Sequence, residues 1–138
     1  MHAESPRYAH LSFSESKLEI LLRGMVESTR TTEAGGGALV AVVGDRVVGM
    51  IGGFVTTPFF SEDKIASDYG LYIRPEHRGQ GRMAIRLIRA FEKWAAGQGV
   101  VEITPGVSTM LNVEGTAGLY ELMGYEKLPG CVLRKRLK

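Results

Sequence analysis

The stretch Leu71-Tyr72-Ile73-Arg74-Pro75-Glu76-His77-Arg78-Gly79-Gln80-Gly81-Arg82-Met83 constrains the fold more than any other part of the chain. A strand-like run, Asp68 to Arg74, feeds a glycine-punctuated turn, and a helical run, Ala84 to Ala96, follows at once. Strand, turn and helix in that order build an anion site. Glycine lacks Cβ, so its backbone reaches dihedrals and close approaches that other residues avoid. The first amides of a helix have no intrahelical partner and point at whatever negative charge lies there. Arg78 and Arg82 add full positive charges beside them. The turn therefore reads as a cradle for a phosphorylated ligand.

Two common phosphate motifs fit poorly. A P-loop ends in Gly-Lys followed by Ser or Thr, and the turn contains no such run. The dinucleotide fingerprint would place its third small residue at Ala84, but it opens a βαβ unit with an acid about 20 residues on. Here the turn lies past the middle of the chain, with Glu102 the acid near that spacing. Too little sequence follows for a second nucleotide-binding half.

The loop Arg78-Gly79-Gln80-Gly81-Arg82-Met83 resembles the signature Arg/Gln-x-x-Gly-x-Gly/Ala of the GNAT superfamily of acetyl-CoA-dependent N-acetyltransferases. A second segment is similar too: Asn112, followed by Leu119-Tyr120-Glu121-Leu122-Met123-Gly124-Tyr125, in the family's order. The resemblance covers roughly Ala38 to Arg136. Met83 departs from it, standing where the family has Gly or Ala. What the resemblance implies is an α/β acyl-CoA N-acyltransferase fold. Its mixed central sheet would hold about six to seven strands, splayed at the cofactor site, with helices on both faces. Acetyl-CoA would be a co-substrate, with no metal. Its pantetheine and the reacting carbonyl would meet Leu71, Tyr72 and Ile73. Its phosphates would meet Arg78, Gly79, Gln80, Gly81, Arg82 and Met83. Asn112 would contact the cofactor amide, and Tyr120 would face its sulfur.

Composition agrees with one soluble domain over residues 1–138: 44% of residues are apolar and 23% charged. A net charge of +2 does not argue for nucleic acid or a membrane surface. The basic stripe Arg82, Arg86, Arg89 and Lys93 has no interleaved aromatics for base stacking and reads as a solvated helix face. The single cysteine, Cys131, excludes an intrachain disulfide and reads as packing. The start of the chain shows no apolar leader and no run reaches spanning length, so a cytoplasmic location is expected.

Along the chain, Tyr8 to Phe13 reads as a weak first strand. Leu18, Leu21, Leu22, Met25 and Val26 recur at helical spacing behind Ser14, a candidate N-cap. Thr31 to Gly37 is a polar, glycine-rich connection expected to be flexible. Ala38 to Val43 and Val47 to Thr57 form a hairpin around Gly44-Asp45-Arg46, with Gly52-Gly53 marking a bulge or close backbone approach. A loop tipped by Phe59-Phe60 leads to a strand from Ile65 to Arg74. Ala84, Leu87, Ile88, Phe91 and Ala95 make one apolar helix face. Val100 to Thr104 is a strand, Val113 to Met123 a helix, and Tyr125 to Arg136 a final hairpin whose edge leaves room for a homodimer.

Acetyl transfer needs a neutral amine, a donor for the tetrahedral oxyanion and a proton for the departing thiolate. Tyr120 is the candidate donor of that proton, with amine and cofactor reacting directly in a ternary complex. For the base, relatives carry a carboxylate at the positions held here by Tyr69 and Gly70, so Asp68 is the nearest candidate. Simple alternation puts Asp68 on one face with Gly70 and Tyr72. The acceptor is a small-molecule amine or a peptide or protein amine. The alternative is a non-catalytic acyl-CoA-binding or sensor domain of the same fold.

Overall fold

Ser14 starts the first helix: its Oγ accepts the Lys17 N–H at 3.3 Å and its carbonyl accepts the Leu18 N–H at 3.2 Å. A serine in this place satisfies donors that the helix cannot. Helix α1 then runs Glu15–Arg30, and its Met25 is buried. The computed structural model describes residues 2–30, 35–79, 81–107, 110–130 and 132–135. Most of the expected connection Thr31 to Gly37 falls outside these residues, as do Gln80, Cys131 and Arg136.

Strand β1 (Gly36–Val43) turns through Gly44-Asp45 into β2 (Arg46–Thr56), and β3 (Lys64–Ile73) follows. Gly44 takes φ +63, as a two-residue hairpin turn demands of its first central position. Helix α2 (Arg82–Gly97) crosses from β3 to the short parallel strand β4 (Val100–Ile103), and α3 (Val113–Leu122) completes the order. The sheet order is β1-β2-β3-β4, antiparallel up to β3 and parallel from β3 to β4.

Helices cover both faces. A Cβ added at Gly36 would meet Met25 of α1, and one added at Gly37 would meet Trp94 of α2. Neighbouring residues of β1 thus look to opposite helices. The core lies on the α2 side, where Leu87, Ile88, Phe91 and Ala95 pack on Ile51 and Ala66, joined by Tyr120. This is the helix face expected from the spacing, and Arg82, Arg86, Arg89 and Lys93 are exposed on the other. No helix among the described residues is long and apolar enough to cross a membrane.

The Gly52-Gly53 pair marks both features expected of it. A Cβ on Gly53 would sit 2.4 Å from the Ser67 carbonyl and 2.6 Å from the Phe91 ring. The register also slips there: Gly52 opposes Gly70, but Gly53 opposes Asp68, leaving Tyr69 as the extra residue. The bulge therefore belongs to β3.

Two expectations fail. Tyr8 to Phe13 forms no strand: a turn runs through His10 and the rest is irregular, because Ser5 gathers the local donors, its carbonyl accepting the Tyr8 and Ala9 N–H groups and its Oγ accepting Tyr8 N–H as well. The described part of Tyr125 to Arg136 contains no strand, and Leu128, Val132 and Leu133 are exposed. Apolar alternation makes a strand only where an edge takes up its hydrogen bonds, and β4 offers four residues. Among the described residues the sheet has four strands, not six to seven.

Candidate active site

Strand β4 pairs along its length with only the first residues of β3. The register runs Lys64↔Val100, Ile65↔Glu102 and Ala66↔Ile103, and the Thr104 N–H still reaches the Ala66 carbonyl at 2.8 Å. Pro105 then offers no N–H, and the next amide, Gly106, donates to Asp68 Oδ1 at 2.7 Å. A side chain thus stands where the next ladder bond would form, and the strands separate beyond it. The gap is a cleft of about 300 Å³ between β3, the glycine turn and α3.

The free edge of β3 presents backbone donors to this cleft. The Arg74 N–H bonds Val48 of β2 at 2.8 Å. Backbone groups alternate between the two edges of a strand, so the N–H groups of Ile73 and Leu71 point the other way, into the gap. Leu71, Tyr72 and Ile73 all line it, as expected.

The bulge at Tyr69 corrects the face assigned to Asp68. Directly opposed residues share a face, and Gly53, opposite Asp68, looks at Phe91 of α2. Gly70 and Tyr72 oppose Gly52 and Met50, and Gly52 looks at Met25 of α1. Tyr69 stacks on Phe54 with ring centroids 4.9 Å apart. Asp68 is thereby turned to the side of Leu71, Ile73 and Tyr120, away from Gly70 and Tyr72. Burial raises its pKa, partly opposed by the Gly106 N–H.

Tyr120 is buried within the core, yet its enclosed hydroxyl finds no hydrogen-bond partner among the described residues. Its ring meets Tyr125 edge-on at 5.0 Å. Burial above all, then the charge of Asp68, drives its pKa far upward, so the phenol keeps its proton. An enclosed, unpaired hydroxyl on a cleft wall is an incomplete contact that a bound group would complete.

At the far end, Gly81 adopts φ +66 as the N-cap of α2 and, having no side chain, makes no capping bond of its own. Arg78 and Gly79 line the cleft with it. Met83 packs against the core from the cleft wall, with its long side chain absorbed there. Arg82 is exposed and does not line the cleft, and Gln80 lies outside the described residues. The Arg78 guanidinium donates through Nε to the Ile73 carbonyl at 2.8 Å, lies over the Tyr72 ring at 5.3 Å, and pairs through Nη2 with Glu4 at 2.8 Å.

Asn112 lines the cleft in a left-handed conformation, φ 45 and ψ 56. It occupies the N-cap of α3, but the side chain makes no capping bond; only its carbonyl enters the helix ladder, to Thr116 N at 2.9 Å. Its carboxamide lies over Gly115, where a Cβ would come within 2.4 Å. Gly115 and Thr116 also line the cleft and went unrecognised in the sequence; Leu119 lines it too, which the sequence placed in the family segment but not in the site. Their spacing from Asn112 to Tyr120 is that of one helix face, a signal available from periodicity. Glu4 had no such signal.

Residues 5–125 match the Acetyltransferase (GNAT) family. The chain is 33% identical over 96 residues to N-acetyltransferase 8B of Rattus norvegicus, covering 70% of this chain and 42% of that protein. It thus spans less than half the length of that curated relative. Among solved structures it is similar to AAC(6')-Iy in complex with the bisubstrate analog CoA-S-monomethyl-acetylneamine, with TM-score 0.69, 12% identity, and 92% and 83% of the two chains covered. It is also similar to the aminoglycoside antibiotic 6'-N-acetyltransferase AAC(6')-IG from Acinetobacter haemolyticus, with TM-score 0.67, 19% identity, and 91% and 83% covered.

Proposed function

Since the chain belongs to the Acetyltransferase (GNAT) family, we propose that it moves an acetyl group from acetyl-CoA to a primary amine by direct attack in a ternary complex. One observation carries this reading. The cleft between β3 and β4 is lined by the outer edge of β3 at Leu71 and Ile73, by Tyr120, whose hydroxyl has no hydrogen-bond partner among the described residues, and by the Asp68 carboxylate at its fork.

The residues fit the co-substrate. An extended amide-bearing arm can take the ladder bonds that β4 leaves unmade, through Leu71 and Ile73. Phosphates would meet the uncapped start of α2 and Arg78, where helix amides and a guanidinium favour anions. Of these two donors, the one beside the reacting carbonyl would serve the tetrahedral oxyanion, and the other the arm.

Asp68 is the proposed base, acting on the acceptor ammonium. Its raised pKa brings it closer to the amine it must deprotonate. Tyr120 then has a narrower role than a full proton donor. Transfer from so weakly acidic a phenol to a thiolate of pKa about 8.5 is uphill. The hydroxyl therefore serves as a hydrogen-bond donor to the sulfur, while the proton balance is closed by the attacking amine.

The acceptor class follows from the same site. Holding an amine of pKa about 10.4 neutral at pH 7.4 costs about 4 kcal/mol, whereas an α-amino group of pKa about 8 costs under about 1. Among the described residues the cleft wall carries one carboxylate, Asp68. A low-pKa amine on a small molecule or peptide suits it better than a polycation. The test follows free thiol released from acetyl-CoA with α-amino, ε-amino and aminoglycoside acceptors. Release with the α-amino set supports the reading; none above solvent hydrolysis with any amine overturns it.

A further inference from the structure

The contact between Glu4 and Arg78 has no part in the chemistry above, yet it sits on the anion end of the cleft. Glu4 reaches across 74 positions of sequence to place Oε2 2.8 Å from Arg78 Nη2. Its other oxygen, Oε1, accepts the Tyr72 hydroxyl at 3.1 Å. The guanidinium is held from a second side, because its Nε donates to the Ile73 carbonyl at 2.8 Å on the free edge of β3. The short helical turn His2–Glu4 is itself moored, with His2 against the Phe13 ring at 5.3 Å and the following Ser5 buried. A carboxylate thus stands on the cleft-lining arginine of the glycine turn.

We propose that Glu4 is a cofactor-affinity residue: its carboxylate is the resident anion of Arg78 and is exchanged for a phosphate of the co-substrate. This rests on the acetyl-CoA reading of the cleft. Three features carry it. Glu4 occupies Nη2 of Arg78 and the Ile73 carbonyl occupies Nε, so a phosphate arriving on the Nη2 side meets the carboxylate first. Like charges side by side at one arginine repel, so the two anions do not share it cheaply. Both partners are solvent-accessible, with side-chain exposures of 43% and 37%, so the pair is weak enough to open. The Tyr72 hydroxyl and the Ile73 carbonyl keep the guanidinium and the departing strap close together, making exchange local.

The test compares the affinities of the wild type and Glu4→Gln for CoA and for pantetheine, which lacks the phosphates. Glutamine keeps the shape and an acceptor oxygen but removes the charge. The expected result is tighter CoA binding by about two- to five-fold, the scale of an exposed ion pair, with pantetheine unchanged. Equal tightening of both ligands would mean that the strap merely blocks the cleft and would overturn the exchange. Weaker CoA binding would mean that Glu4 orients Arg78 for the phosphate, and would overturn it too. If wild type binds pantetheine but not CoA, or binds neither, the co-substrate reading itself falls and this inference with it.

Discussion

Asp68 Oδ1 accepts the Gly106 N–H at 2.7 Å at the point where β3 and β4 part. The bond does two things at once. It replaces the ladder bond that would have kept the strands together, and it holds a half-buried carboxylate at the fork of the cleft.

Asp68→Asn keeps an oxygen for Gly106 and removes the charge. The raised pKa fixes the sign of its effect on stability. The folded state binds the proton more tightly than the unfolded one, so stability is fully present below the ordinary carboxylate value and is lost as pH rises through the raised one. The variant is therefore expected to unfold at a higher temperature than wild type at neutral pH, with the gap closing in acid. If Asp68 is the base, kcat/KM falls by about 10² to 10⁴ and loses its acidic limb. Matched melting curves and pH–rate profiles check both halves.

Tyr120→Phe removes an enclosed hydroxyl that has no partner among the described residues. An unpaired buried hydroxyl costs about 1–3 kcal/mol. The phenylalanine protein is expected to be at least as stable as wild type while its turnover drops. A loss of stability together with unchanged turnover would remove Tyr120 from the site.

Gly53→Ala tests the bulge. The new Cβ would meet the Ser67 carbonyl at 2.4 Å and the Phe91 ring at 2.6 Å. Neither backbone nor a core ring gives way easily, so a loss of about 1–3 kcal/mol or more is expected from denaturant midpoints.

Gly115→Ala would push the Asn112 carboxamide from its place, since the added carbon falls 2.4 Å from Nδ2. Acetyl-CoA affinity is expected to drop severalfold, and the effect should vanish in an Asn112→Ala background. Calorimetric titration of the four proteins measures that coupling.

Much of this arrangement is legible in the sequence, for reasons that are local. The buried face of α2, from Ala84 to Ala95, follows directly from helical spacing. Gly44 and Gly81 sit where the backbone takes positive φ. The face of Asp68 was not legible, because alternation counts residues evenly and an extra one at Tyr69 reverses everything before it. The strand expected at Tyr8 to Phe13 lost to turn bonds gathered by Ser5, and the described part of the terminal hairpin faced, in β4, an edge of only four residues. Glu4 meets Arg78 through tertiary folding alone, with no spacing to announce it.

The most direct test of the account is a calorimetric titration of the wild-type chain with acetyl-CoA, read beside thermal unfolding at saturation. The predicted result is one-to-one binding and, at about one hundred times Kd, a stabilisation of about 2.7 kcal/mol, worth several degrees. No heat and no shift at millimolar acetyl-CoA would contradict it, leaving the fold of an acetyltransferase without its chemistry.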